Sequence, residues 1–158
     1  MVAKRALLTV AVVLAAPIPA AAEGDVPTAA EIKRVLDYEQ HGKDKGPILI
    51  ELVACSKVDL TKGSPTYYSC LEPIKGRVKK DTVVSAWMAW LCPKGGAYDD
   101  ITVQFLHQGQ VRRTFDLKLE GLSRTRTFRS HPFTKVGAWE IRVARGETEL
   151  AKVSLTVE

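Results

Sequence analysis

Beyond its first 22 residues this sequence has no apolar run that could cross a bilayer, which takes about 20 residues, and no fixed repeat or low-complexity tract. It has no Cys-x-x-Cys, no histidine at i+2 or i+4 from another, and no Gly-x-Ser-x-Gly. These gaps remove the spacings of a zinc site and the strained turn of a serine hydrolase. Charge of one sign is also scarce. Of the +5 formal charge, two cations are Lys4 and Arg5; without them 21 basic residues face 18 acidic ones, a balance of +3. That excess is too small to argue for nucleic acid.

What is present begins with an export pattern. Lys4 and Arg5 precede the apolar run Ala6 to Ala16, and Ala20-Ala21-Ala22 precede Glu23. This is the order of a secretory signal peptide, with cleavage expected after Ala22. The expected organisation is 1–22 signal peptide, 23–47 leader and short helix, and 48–158 a single β-domain. A periplasmic or extracellular location is implied, with no transmembrane segment in the mature chain.

Three cysteines, Cys55, Cys70 and Cys92, enter an oxidising compartment, so one thiol must be left over. Cys55 and Cys70 flank a turn-rich segment between apparent strands and are the candidate disulfide. Cys92 ends an apolar run and is expected as a buried free thiol.

Thr28 and Glu31 have capping-box spacing, so a helix is expected there. Its stripe Ile32, Val35 and Leu36 should pack on the strands of the β-domain, because so short a helix is marginal alone. "HGKDKGP" (His41 to Pro47) stops it near Gln40. The period then changes from 3.6 to 2. Strand-like runs are Ile48 to Val58, Thr66 to Glu72, Thr82 to Cys92, Ile101 to Gln108, Val111 to Glu120 after a short hairpin connection at Gly109-Gln110, and the alternating pair Trp139 to Val143 and Ala151 to Val157. Strands separated by turns, without crossover helices, argue for an all-β, antiparallel, immunoglobulin-like sandwich carrying one N-terminal helix.

"VSAWMAWLCPKGG", "ITVQFLHQGQVRRTFDL" and "GAWEIRV…LAKVSLTVE" together resemble a bacterial domain-of-unknown-function family. Its members are small exported or envelope-tethered β-sandwich domains. They end in a Gly-x-Trp-x-Ile/Val strand paired with a last amphipathic strand, and carry an Arg-rich strand just upstream, here Arg124, Arg126 and Arg129. The resemblance covers Thr82 to Glu158. It implies an immunoglobulin-like fold and no particular activity.

Chemistry-bearing residues are few. His41, His107 and His131 read as surface or edge imidazoles. Cys92 with a distant His131 would be a nucleophile only if the thiol were not in an apolar strand, where it is inert. Asp99-Asp100 and Glu147/Glu149 are carboxylate pairs near turns. No catalytic residue, metal or cofactor is expected.

Trp87 and Trp90 have opposite parity in one strand, so one must leave the core. The helix stripe is expected to cover it; otherwise it is an apolar contact for a partner. Tyr67 and Tyr68, beside Cys70, pose the same question. In "LSRTRTFRS" (Leu122 to Ser130) two unpaired guanidiniums cannot face a core. Arg124 and Arg126 therefore face outward, Thr125 and Thr127 inward, and Phe128 stays on the arginine side unless a bulge before Pro132 reverses it. Arg112 has outward parity and is grouped with them as a patch on one sheet. From Val111 to Lys135 seven basic residues face two acidic ones. Either Asp116, Glu120 and Glu140 neutralise them, or the row holds an anion.

The expected function is a non-enzymatic exported accessory or binding domain. It would contact a protein or an anionic envelope component through a sheet face, with Arg112, Arg124, Arg126, Trp87 and Trp90 as candidate contacts. A carbohydrate-binding module using exposed Trp and Tyr, or a small periplasmic enzyme or inhibitor, stays open beside it.

Overall fold

Thr28 caps a helix as its spacing to Glu31 requires. The Glu31 amide donates to Thr28 Oγ1 at 3.3 Å, and the Glu31 carboxylate accepts from the Thr28 amide at 2.8 Å. The computed structural model describes residues 27–121 and 123–158. The expected signal peptide and its cleavage point, with Leu122, lie outside those residues. Helix α1 runs Ala29–His41.

The stripe of α1 does not pack on the strands. Ile32, Val35 and Leu36 are 46, 48 and 52% exposed. The helix is tied instead through its last turns. The Tyr38 hydroxyl donates to the Gly46 carbonyl, and the Lys94 amide donates to the Glu39 carbonyl at 2.6 Å. Val35 and Tyr38 face Ile48 and Leu91 only across an open cleft, and no residue of α1 is buried.

After a 3₁₀ turn at Lys43–Lys45 the chain enters nine strands among the described residues: β1 Ile48–Val58, β2 Cys70–Pro73, β3 Arg77–Val78, β4 Thr82–Cys92, β5 Ala97–His107, β6 Gln110–Glu120, β7 Ser123–Phe133, β8 Gly137–Arg145 and β9 Thr148–Val157. The first sheet has the order β2-β1-β4-β7 and the second β3-β9-β8-β5-β6. Apart from the two-residue parallel pairing of β3 with β9, the pairings are antiparallel. The chain is an all-β, immunoglobulin-like sandwich.

The alternation written in the sequence sets the layers. Val84, Ala86, Met88, Trp90 and Cys92 of β4 face Ile101, Val103 and Phe105 of β5, Leu117 and Leu119 of β6, and Trp139, Ile141 and Val143 of β8. Leu155 and Val157 of β9 and Phe133 of β7 close the same core. Full burial of one such side chain stabilises the fold by about 1.5–3 kcal/mol before entropy is counted. Cys92 is a buried free thiol, and Cys55 is bonded to Cys70 with their Cα atoms 5.9 Å apart.

Local departures from the expected strands have local causes. Thr66 to Ser69 turns rather than extends, Tyr68 adopting a positive φ of 62°, so β2 begins only at Cys70. The β5–β6 connection is Gln108–Gly109, one residue earlier than expected; both have positive φ (51° and 77°), the turn whose twist suits a two-residue hairpin. Asp99 and Asp100 lie within β5, where its register with β6 shifts between Tyr98 and Ile101.

Candidate functional site

Of the expected site residues, the fold brings Arg124, Arg126 and Trp87 together on the outer face of the four-stranded sheet. On β7 the register with β4 runs unbroken, so no bulge precedes Pro132. Arg124, Arg126 and Phe128 stand opposite Leu91, Ala89 and Trp87, all on the outward side of β4. Arg124 and Arg126 are exposed. Thr127 turns inward and accepts from the Trp90 indole at 3.1 Å.

Trp87 shares that outer face, yet it is only 8% exposed. Its cover is the loop between the two half-cystines, not the helix. The Trp87 indole N–H donates to the Tyr68 carbonyl at 2.7 Å, and the Tyr68 ring lies 5.7 Å from Phe128. Trp90, on the other parity, is fully buried between the sheets. Neither tryptophan is an open apolar contact.

Several bonds hold the loop in place besides the disulfide. The Asp59 amide donates to Ser69 O at 2.9 Å and the Tyr68 amide to Asp59 O at 2.7 Å. The Asp59 carboxylate accepts from the Thr61 amide at 2.9 Å and from Thr66 Oγ1 at 2.7 Å. Hydrogen bonds from the Ser64 and Thr66 hydroxyls, then from the Thr61 backbone, hold that carboxyl far below the usual carboxylate range. The anchor is therefore charged at any ordinary pH.

Between the loop and β7 runs a groove of about 580 Å³. Ala89 forms its floor, a small side chain between two long ones: Glu51 on β1 and Arg126 on β7 both stand beside it in register. Two strand spacings put those chains about 10 Å apart at the backbone. Ile50 is the extra residue of a bulge between Leu49 and Glu51, and it is 51% exposed at the groove wall. Tyr67 and Tyr68 close one end; their rings are 4.7 Å apart at 73°. Arg126 Nη1 donates weakly to Tyr67 O at 3.4 Å.

The acidic neutralisers named from sequence do not reach these arginines. Glu140 pairs with Arg142 at 2.8 Å, and Asp116 offers only its backbone carbonyl, to Arg129 at 3.4 Å. Among the described residues neither Arg124 nor Arg126 has a carboxylate partner. The two guanidiniums share one groove wall and face Glu51 across the Ala89 floor.

Arg112 does not belong with them. It sits on β6, in the other sheet, and donates to Gln110. Consecutive strands β6 and β7 cross from one sheet to the other, which sequence parity alone does not reveal. Arg129, by contrast, faces inward at the open side of the sandwich. Its guanidinium donates to the Phe128 carbonyl of β7 at 2.9 Å and to that of Asp116 on β6.

The remaining chemical candidates are occupied structurally. His41 is exposed beside Asp37. His107 is buried, contrary to an edge position; its Nε2 lies 2.9 Å from the Val136 carbonyl and its ring 5.0 Å from Trp139. His131 packs on Phe105, Phe133 and Trp139. Burial, then the charge of Arg113, pushes its pKa down. Burial pushes the Cys92 thiol up, which makes it a poor nucleophile. Asp100 is bound by Arg145 at 2.7 Å, and Glu149 by Arg142 at 3.1 Å. Among the described residues no group of three or more His, Cys, Asp or Glu is placed to hold a metal.

Sequence reasoning found Arg124, Arg126 and the tyrosines, but not Glu51, Ile50 or the floor at Ala89. The continuous run Ile48-Leu49-Ile50 concealed the bulge, since every position in it is apolar.

No family model and no curated protein matches the chain. Solved structures resemble its fold. An immunoglobulin-like protein of Pseudomonas aeruginosa is 15% identical over 71% of this chain and 96% of its own, with a TM-score of 0.45. The C-terminal domain of wzt is 10% identical over 72% and 74%, at 0.46. A CARDB domain from Pyrococcus furiosus is 13% identical over 52% and 86%, at 0.39.

Proposed function

We propose that this protein is a non-enzymatic, exported binding domain that holds an anionic ligand in the groove between the Tyr67–Tyr68 loop and β7. One observation carries the reading: Arg124 and Arg126 project from the wall of a groove without a carboxylate partner among the described residues. The groove is also preorganised, because the disulfide, Asp59 and the Trp87 indole fix the loop that ends it. A site held in shape before binding loses less entropy when it is filled.

The basic-apolar-Ala start of the sequence supports export, and the Cys55–Cys70 bond fits an oxidising compartment. Arg124 and Arg126 supply attraction, and Glu51 on the opposite wall accepts donors or repels a ligand that is acidic on both sides. A sugar-stacking module is served less well. Both tryptophans are covered, and the two tyrosine rings stand at 73° rather than forming one flat platform.

The test is a nuclear magnetic resonance titration with three anionic probes: poly-L-glutamate, polygalacturonate and phosphatidylglycerol vesicles. The proposal expects shifts at Glu51, Tyr67, Ala89 and Arg124 to Arg126 for at least one probe. Shifts confined to the β8–β9 face, or none with any probe, would contradict it.

A further inference from the structure

Resting on the anion-binding reading, we infer that Arg124 and Arg126 also serve an extended acidic peptide, added as a fifth strand beside the first half of β7, on the side away from the groove. β7 lies at the edge of its sheet, paired over eleven positions with β4 and with no other strand among the described residues. Its outer backbone groups are therefore a template for another chain.

The two halves of that edge differ. From Phe128 onward it is closed: the Arg129 guanidinium occupies the Phe128 carbonyl at 2.9 Å, and Pro132 has no amide to donate. From Arg124 to Thr127 neither device is present among the described residues. The opening coincides with the unpaired guanidiniums, which stand two residues apart on the outer face.

The spacing selects the partner's sequence. Residues i and i+2 of a strand lie about 6.8 Å apart on one face, and an added strand has the same period. A segment with Asp or Glu at every second position sets successive carboxylates opposite Arg124 and Arg126. Cross-strand opposite charges favour pairing, and like charges oppose it. A second copy of β7 would bring arginine against arginine, so self-pairing is disfavoured by the same residues. An acidic glycan could satisfy the guanidiniums but presents no amide ladder to the edge.

Binding to the full chain is followed by fluorescence anisotropy with three probes: a short peptide alternating Glu with Thr, the same peptide N-methylated along its backbone, and polygalacturonate. Backbone hydrogen exchange of Arg124 and Arg126, whose amides lie on the same side of the strand as the Phe128 carbonyl, is followed alongside. The inference expects the alternating peptide to bind at least about tenfold more tightly than its N-methylated form, a difference of about 1.4 kcal/mol. It also expects exchange to slow at those amides. Equal binding of the two peptides, or of polygalacturonate alone, overturns the strand inference while leaving the anion groove standing. No binding of any of the three overturns both.

Discussion

The indole N–H of Trp87 donates to the carbonyl of Tyr68 at 2.7 Å, fastening a loop to the outer face of a sheet that would otherwise expose a tryptophan. That bond joins the architecture to the candidate site, because the loop it holds forms one end of the groove. Trp87→Phe keeps most of the apolar area and deletes the donor. It should cost about 0.5–1.5 kcal/mol in urea unfolding, the net contribution of one part-buried hydrogen bond. Protease cleavage between Asp59 and Ser69 should accelerate. An unchanged cleavage rate would mean that the loop is held without this bond.

The second fastening is covalent. Cys55 and Cys70 enclose a loop with a sequence separation of 15. Replacing both by serine should lower unfolding free energy by about 3 kcal/mol in the chain-entropy model. The same loss should appear in the parent protein on reduction, measured by denaturant unfolding with and without reductant. The serine variant should be insensitive to reductant.

His131 makes stability depend on pH. Its folded pKa lies below the ordinary 6.5 through burial and the nearby Arg113 charge. The neutral ring is thus the form the fold prefers. Its stabilising contribution is full above the ordinary imidazole value and is lost as pH falls through the folded one. The urea midpoint should therefore decline between about pH 7 and pH 5, and His131→Phe should flatten that decline. An identical slope in the variant would show that other groups produce it.

The helix should matter little to stability. Ile32→Ala and Leu36→Ala should each fall within about 0.5 kcal/mol of the parent, as exposed positions do. Ile141→Ala, in the core, should cost about 2–5 kcal/mol. Equal losses at Leu36 and Ile141 would mean that α1 packs on the sandwich in solution.

The sandwich was legible because burial imposes a period of two that the sequence displays plainly. Trp139, Ile141 and Val143 alternate with Glu140 and Arg142, and the structure buries the first set. The capping box and the Cys55–Cys70 pairing are likewise local, decided by residues close in the chain. What stayed hidden was the relation between distant elements. The stripe of α1 states which face it would bury, not whether a surface is offered to it. The parity of Arg112, Arg124 and Arg126 gave their outward exposure, but the crossing from β6 to β7 put Arg112 in another sheet. The opposite faces of Trp87 and Trp90 were readable too. That a loop of tyrosines covers one of them depends on how two half-cystines fold back.

The most direct test compares poly-L-glutamate affinity of the parent, Arg124→Glu/Arg126→Glu and Arg112→Glu, by calorimetric titration at low and high salt. Surface charge reversals of this kind should leave unfolding within about 0.5 kcal/mol, so the comparison reads binding alone. The account predicts that the double variant loses at least about tenfold in affinity. It predicts that Arg112→Glu binds like the parent, and that parent affinity falls steeply as salt rises. A double variant that binds as tightly as the parent, or an equal loss at Arg112, would contradict it.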